Sequence, residues 1–157
     1  MEVTIRPYRK KDRSDVLDIA EESFEGVCLE HVMEQDFGCI GGASWRERKK
    51  KGIDYDLKRR SRDALVADIG GHVVGFVCTR LYHKRSIGHV ANLAVASRYQ
   101  GRGIGRALVD AAVRHLRDRG MEYARVETLE HNERAGNLYE SAGFEEIARR
   151  VYYFREL

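Results

Sequence analysis

The sequence has little of what stabilises small secreted or metal-dependent domains. Its three cysteines, Cys28, Cys39 and Cys78, are scattered and form no C-x-x-C pair. We therefore expect no disulfide framework and no metal site, and the free thiols indicate a reducing, cytoplasmic location. A chain of 157 residues buries enough surface to be stable without such supports. We expect one domain spanning residues 1–157.

Long apolar runs, repeats and low-complexity tracts are also missing. No apolar run approaches the ~18 residues that a membrane-spanning helix needs. The opening stretch, MEVTIRPYRKKDRSD, lacks the apolar core of a signal peptide. The net charge of +3 is mild; it permits an acidic ligand but does not indicate nucleic-acid binding. We therefore expect no membrane partner and no specific nucleic-acid partner.

The patterns that are present predict a mixed α/β fold in the order β-α-α-β-β-β-α-β-α-β. VTIRP reads as a first strand, and Asp12 with Asp15 resembles the capping box of a following helix. ALVADI and HVVGFVCTRL predict a hairpin around a Gly-Gly turn, and SIGHVANLAV predicts a buried third strand. Apolar residues at helical spacing follow it, then the strand YARVETL and a short helix capped by Asn132. The tail EEIARRVYYFREL predicts one final strand.

The segment between Glu30 and Arg62 carries the weakest pattern. DFGCIGGASW is typical of a bend, and WRERKKKGIDYDLKRRSR predicts a helix interrupted by Gly52. The second stretch contains nine Lys and Arg residues. Such a run is either a solvated helix face or a surface that attracts an acidic partner, such as a nucleic-acid-rich particle.

The stretch SRYQGRGIGRAL places three glycines, Gly101, Gly103 and Gly105, between a buried strand and a helix. Free amides and the helix dipole make such a helix start an anion site, and glycine lets the backbone approach a phosphate. A P-loop is excluded because Arg106-Ala107 stands where Lys-Ser/Thr is required. The spacing also fails the G-x-G-x-x-G dinucleotide pattern, so a Rossmann-type binder is disfavoured.

Three motifs in order resemble the GNAT acyltransferase superfamily. QGRGIG matches Q/R-x-x-G-x-G/A, NLAV precedes it, and NERAGNLYESAGF is similar to N-x-x-A-x-x-L-Y-x-x-x-G-F. The resemblance extends from about Ile87 to Phe144, and the chain is locally similar to ribosomal-protein N-terminal alanine acetyltransferases. It implies a GNAT fold with splayed central strands and acetyl-CoA as the acyl donor. It assigns cofactor binding to Leu93, Ala94, Val95, Gln100, Gly101, Arg102, Gly103, Ile104, Gly105, Arg106 and Asn132.

The resemblance also implies catalytic roles. The Val95 N–H would stabilise charge on the thioester oxygen. Glu127 would remove the amine proton, unless it only pairs with an arginine, and His89 is the rival base, unless it is a structural histidine. Tyr139 would protonate the departing thiolate, although it could also be a core aromatic residue. Asn132 could act as a helix cap alone.

The acceptor is the least defined part of this hypothesis. The resemblance favours a primary amine, either a protein N-terminus or a lysine. Only thirteen residues follow Phe144, which is too few for the hairpin that covers a peptide site, so a small amine such as a polyamine, amino acid or antibiotic is an alternative. A second alternative is a non-catalytic acyl-CoA sensor, against which Glu127 and Tyr139 argue. A homodimer is also expected, as in many families of this kind.

Overall fold

The structure is a computed structural model that describes residues 2–157, and it contains one five-stranded sheet with helices on both faces. Spatial strand order equals chain order, with antiparallel pairing from the first strand to the fourth. The fourth and fifth strands are parallel because a helix crosses between them. The strands are β1 Thr4–Pro7, β2 Ala64–Ile69, β3 His72–Tyr82, β4 Ile87–Val95 and β5 Tyr123–Val126. The helices are α1 Arg13–Ser23, α2 Leu29–Phe37, α3 Trp45–Arg59, α4 Ile104–Asp118 and α5 Glu133–Ser141.

Two apolar clusters hold the layers together, one on each face of the sheet. Successive strand residues point to opposite faces, so Phe76 and Cys78 of β3 pack under α1 and α3, while Val77 packs under α4. The predicted helical stripe after the glycine loop is buried in the α4 cluster, with Leu108 and Leu116 almost fully enclosed. The mixed α/β class is therefore confirmed.

The fourth strand parts from the fifth halfway along its length. β5 pairs with β4 only over residues 87–90, where Val90 is the last partner, opposite Val126. On its other edge β4 stays paired with β3 through Val95, across a bulge at which Ala91 has no opposite residue. Among residues 2–157, the edge of β4 from Ala91 to Val95 therefore has no strand partner on the β5 side, as the predicted splay requires.

The predicted hairpin is present, with Gly70 and Gly71 at φ +59° and +91°, the positive values that a two-residue turn of this type needs. The predicted final strand is wrong. Residues 145–157 form no strand and make no backbone–backbone hydrogen bond to the rest of the described chain. The residues VYYF favour a strand, but a strand forms only where a sheet edge lies within hydrogen-bond reach. Here Phe154 packs instead against Phe37 of α2, with ring centroids 4.9 Å apart.

The helix α2 was not predicted, because it is only nine residues long and none of its side chains is buried. It is held by polar contacts, including the Trp45 amide, which donates to the Glu34 carboxylate. The start of α1 also differs from the capping-box prediction. Asp12 precedes the helix, but its buried carboxylate accepts from both terminal nitrogens of Arg6, at 2.8 and 2.9 Å, and caps nothing in α1.

The cations of α3 are mostly engaged within the chain. Lys50 pairs with Glu21 at 2.9 Å and Lys58 with Asp54 at 2.7 Å. Lys49 lies over the Phe24 ring, 4.4 Å from its centroid. These contacts favour the solvated-face interpretation of the basic run. Among residues 2–157, no helix is long and apolar enough to cross a membrane.

Candidate active site

The backbone at the end of β4 points polar groups into the gap between β4 and β5. The Ala96 amide donates to Val74 O at 2.9 Å, so in this antiparallel pair the preceding residue, Val95, directs its N–H and C=O away from β3. Alternation gives Leu93 the same orientation. Of the three residues that the sequence assigned to the free edge, Leu93 and Val95 therefore direct backbone groups into the gap, and Ala94 directs its own at β3. An extended amide-bearing ligand can add as a strand along this edge.

A glycine turn follows this edge directly and opens α4. Gly101 and Gly103 adopt φ +76° and +79°, which other residues rarely adopt. The first hydrogen bond of the helix runs from the Ala107 amide to Gly103 O, so the amides of Ile104, Gly105 and Arg106 have no acceptor within the helix. Three free amides at a dipole end form a cradle for a diphosphate.

The side chains of this turn bond to other groups of the protein. The Gln100 side-chain amide donates to Val95 O at 2.8 Å and accepts from Arg134 of α5. The Arg106 guanidinium is paired with Asp110, at 3.0 Å, on the next turn of α4. Gln100 and Arg106 were predicted to bind the cofactor. In this structure the Arg106 amide is available for that role, while both side chains are engaged in the protein.

Gly105 has no positive φ, and a Cβ on it would meet its neighbours only at ordinary contact distances. A Cβ on it would lie 3.4 Å from Leu138 and 3.9 Å from Val95, so α4, α5 and the end of β4 meet at this position. The sequence correctly placed Asn132 as the cap of α5, where its side chain accepts from the Ala135 amide at 3.3 Å. Arg102 stacks on the ring of Tyr99 beside the turn.

The two rival bases lie side by side where β4 and β5 begin to part. His89 of β4 and Glu127, just after β5, place Nε2 and Oε1 3.4 Å apart. The His89 side chain is almost fully buried, whereas the Glu127 side chain is 53% exposed. Neither ring nitrogen of His89 has a hydrogen-bond partner among the described residues. Burial lowers the pKa of His89, against the opposing effect of the Glu127 charge, so the imidazole is neutral near pH 7.

The predicted proton donor, Tyr139, lies on α5, one residue beyond the Leu138 contact with Gly105. Its ring packs edge-on against Phe144, with centroids 6.0 Å apart. Burial raises the pKa of Tyr139 to about 12, so the phenol keeps its proton at neutral pH. A protonated phenol can donate to a leaving thiolate but cannot serve as a base.

Some residues around the gap carried no signal in the sequence. His131 reaches from the loop before α5 to the loop after α1, where its Nε2 lies 2.6 Å from Gly26 O. His31 accepts from the amide of the same glycine at 2.7 Å. Arg134 braces Gln100 from across the turn. Each contact joins residues distant in sequence or lying in loops, so no periodicity or motif could have revealed it.

This donor set fits coenzyme A. The free edge of β4 suits the two amides of a pantetheine arm, and the glycine turn suits a diphosphate. The exposed side chains around the turn add positive charge from Arg98 and Arg102, both stacked on Tyr99.

The fold resembles that of several acetyltransferases of known structure. It is similar to ribosomal-protein-alanine N-acetyltransferase from Brucella melitensis, with 25% identity and a TM-score of 0.69 over 92% of this chain and 86% of that one. It is also similar to PaiA N-acetyltransferase from Thermoplasma acidophilum in complex with coenzyme A, at 19% identity and a TM-score of 0.73 over 92% and 91%. AAC(6′)-Iy in complex with the bisubstrate analogue CoA-S-monomethyl-acetylneamine gives 17% identity and a TM-score of 0.65 over the full length of both chains. Comparison with curated proteins gave no match.

A splayed sheet with a free strand edge leading into a diphosphate cradle defines an acyl-coenzyme A-dependent transferase. The family model described as acetyltransferase (GNAT) family matches residues 15–144. The chain belongs to this family and is an acetyltransferase, and members of the family use acetyl-CoA as acyl donor.

Proposed function

We propose that this enzyme transfers the acetyl group of acetyl-CoA to a primary amine of a protein, either an N-terminus or a lysine. The observation that carries the proposal is the free edge of β4, which runs from the His89–Glu127 pair to the glycine cradle. A donor bound along that edge would have its thioester near Val95 and its diphosphate at the start of α4.

Each demand of the reaction has a candidate group. An alkylammonium cannot attack a thioester, and its pKa is near ~8 for an α-amine and ~10 for lysine, so a base is required. Glu127 is exposed and accepts this proton, with neutral His89 as the acceptor behind it. The Val95 N–H stabilises the negative charge on the attacked oxygen. Tyr139 donates its proton to the thiolate as the C–S bond breaks.

A panel of amines tests this proposal. Release of free thiol from acetyl-CoA is measured with N-terminal peptides, lysine peptides, polyamines, amino acids and aminoglycosides. We expect turnover with a peptide, and a loss of about 10²-fold or more in kcat/KM for Glu127→Gln. Glu122→Gln, which makes the same change at an exposed position just before β5, is the matched control. If none of these amines supports thiol release at any pH, the acetyltransferase proposal is refuted for these acceptor classes.

A small-molecule amine is the second candidate acceptor. The observation that favours it is the tail, because residues 145–157 form no strand and so supply no hairpin to cover a peptide. The similarity to AAC(6′)-Iy supports the same candidate at the level of the fold. In the panel, a kcat/KM at least ~10²-fold higher for an aminoglycoside or polyamine than for any peptide would select it.

Two further predictions concern the setting of the reaction. We propose a cytoplasmic location, because Cys28 and Cys78 are buried free thiols and no cysteine is bridged among the described residues. We also propose a homodimer, which sedimentation velocity of the purified chain would test; a single species of about 18 kDa would contradict it.

A further inference from the structure

A row of charged and polar side chains crosses the sheet at the active-site gap. Arg80 of β3 stands directly opposite His89 of β4, and His89 stands directly opposite Arg125 of β5. Opposite residues of paired strands share a face, so all three side chains lie on the face covered by α1 and α3. Glu127 follows Arg125 by two residues and points to the same face.

The far end of this row is fixed by a buried carboxylate. Asp56 of α3 has a side chain that is only 2% exposed. It accepts from Arg80 Nη2 at 2.7 Å and from Arg80 Nε at 3.2 Å, and from Arg60 Nη1 at 2.8 Å. A buried carboxylate without a cationic partner is strongly unfavourable, so Asp56 holds the Arg80 guanidinium in place.

His89 is a buried member of the row, and its side chain makes no hydrogen bond in the described part of the chain. It is 6% exposed, both of its ring nitrogens lack a partner there, and Nε2 faces Glu127 at 3.4 Å. The charged groups around it are Arg80 from β3, Arg125 and Glu127 from the β5 side, and Asp56 from α3. Burial lowers its pKa most, Glu127 and Asp56 oppose that effect, and the two arginines reinforce it.

We propose that Arg80, anchored by Asp56 opposite His89, is a positioning residue that adds to burial in keeping His89 uncharged beside Glu127. The inference rests on the proposed acetyl transfer for its catalytic meaning. A neutral imidazole has a free lone pair, so it can accept the proton that Glu127 takes from the acceptor ammonium. That proton returns to water through Glu127 after the product leaves. An imidazolium in the same place would have no lone pair to accept it.

The test uses the intact protein and needs no substrate. The ring ¹⁵N signals of His89 are followed by NMR across the acidic to neutral pH range in the wild type and in the variants. Arg80→Gln should raise the titration midpoint of His89 by about half a pH unit or more, because a nearby like charge is removed. Arg80→Lys keeps the charge and should stay near the wild type.

Arg60→Gln is the matched control. It removes a contact with the same carboxylate at 2.8 Å, but Arg60 does not stand opposite His89. We expect it to leave the His89 midpoint unchanged. If Arg80→Gln does not fold, the double variant D56N/R80Q leaves no unpaired carboxylate at this position and takes its place. Its expected rise is smaller, because the Asp56 charge that opposes the effect of Arg80 is removed as well.

A His89 midpoint that does not move in the folded Arg80→Gln or double variant would overturn the proposal. An equal shift in Arg60→Gln would also overturn it, since loosening of Asp56 would then explain both. In the kinetics, the acidic limb of kcat/KM should move to higher pH with the NMR midpoint. If no amine is acetylated, the proposed function fails, yet the NMR titration still decides the role of Arg80.

Discussion

At the scale of single residues, Tyr139 offers a test of proton donation. Its phenol is protonated at neutral pH because burial raises its pKa to about 12. Replacing it with Phe keeps the ring that packs against Phe144 and removes only the hydroxyl. We expect kcat to fall by about 10²-fold or more, with binding of coenzyme A unchanged by calorimetry.

Tyr123→Phe, which removes an exposed hydroxyl from β5, is the control for this change and should keep wild-type kcat. Unchanged turnover in Tyr139→Phe would remove this tyrosine from the mechanism. An equal fall in turnover and cofactor affinity would instead assign it a binding role.

His89 should also make folding stability depend on pH. Its pKa lies below the ordinary value of 6.5 in the native state, so between those two values the unfolded chain binds a proton that the native protein does not. The free energy of unfolding therefore falls as the pH drops through this window, by at most about 1.4 kcal/mol per pH unit from one group. The paired carboxylates of Asp12, Asp54 and Asp68 have lowered pKa values, so their stabilisation disappears at lower pH.

Urea unfolding at about pH 7.5 and about pH 5.5, on either side of the ordinary histidine pKa, measures this effect. We expect His89→Gln to lose less stability between the two values than the wild type does. His72→Gln, an exposed site at the hairpin, should behave like the wild type. A wild-type loss that persists in full in His89→Gln would show that another group is responsible.

The site residues differ in whether their role depends on neighbours in the sequence or on distant residues. The glycine turn and the Asn132 cap could be predicted because each is set by residues close to it in the sequence. Glu127 and Tyr139 could be named only through a motif. The contacts of Asp56 with Arg80 and of His131 with Gly26 join residues 24 and 105 positions apart, and only the folded chain brings them together.

At the scale of elements, substitution by alanine should have opposite effects on stability at two glycines. Gly88 lies where β4 meets α4, and a Cβ there would be 2.5 Å from a methyl carbon of Leu116. Gly52 lies in the exposed middle of α3, with nothing within 4 Å of a Cβ. Overpacking costs about 1–3 kcal/mol, whereas Ala in place of a helical Gly contributes up to about 1 kcal/mol.

Thermal melts of the two variants provide the measurement. Gly88→Ala should lower Tm by several degrees, and Gly52→Ala should raise it by roughly 2–4 °C. A Gly88→Ala variant as stable as the wild type would mean that α4 can move away from β4 without weakening the packing.

Elements with a buried apolar stripe or a two-residue glycine turn could be predicted, because the residues that form the sequence pattern are the same residues that the fold buries or turns. α4 and the Gly70–Gly71 hairpin belong to this class. α2 does not, since none of its side chains is buried. For the tail, propensity indicated a strand, but no strand of the described sheet pairs with it.

At the scale of the whole molecule, the two clusters on either side of the sheet account for the packed core, and both are complete before Phe144. Residues 145–157 stand outside this core. Their backbone makes no hydrogen bond to the backbone of the rest of the described chain, and their large apolar side chains are exposed. The exposed set is Ile147, Val151, Tyr152, Tyr153, Phe154 and Leu157.

Removal of residues 146–157 should therefore change the stability of the folded chain little. The largest apolar interaction that this truncation removes is the packing of Phe154 on Phe37, and such an aromatic pair contributes about 1 kcal/mol. For a chain of this size that corresponds to a fall in Tm of roughly 2–4 °C, measured by calorimetry at one protein concentration. Phe154→Ala alone should reproduce most of the fall. A drop of more than about 10 °C would show that the tail is packed in the assembled protein, because the interactions it makes within a single chain are too few to account for it.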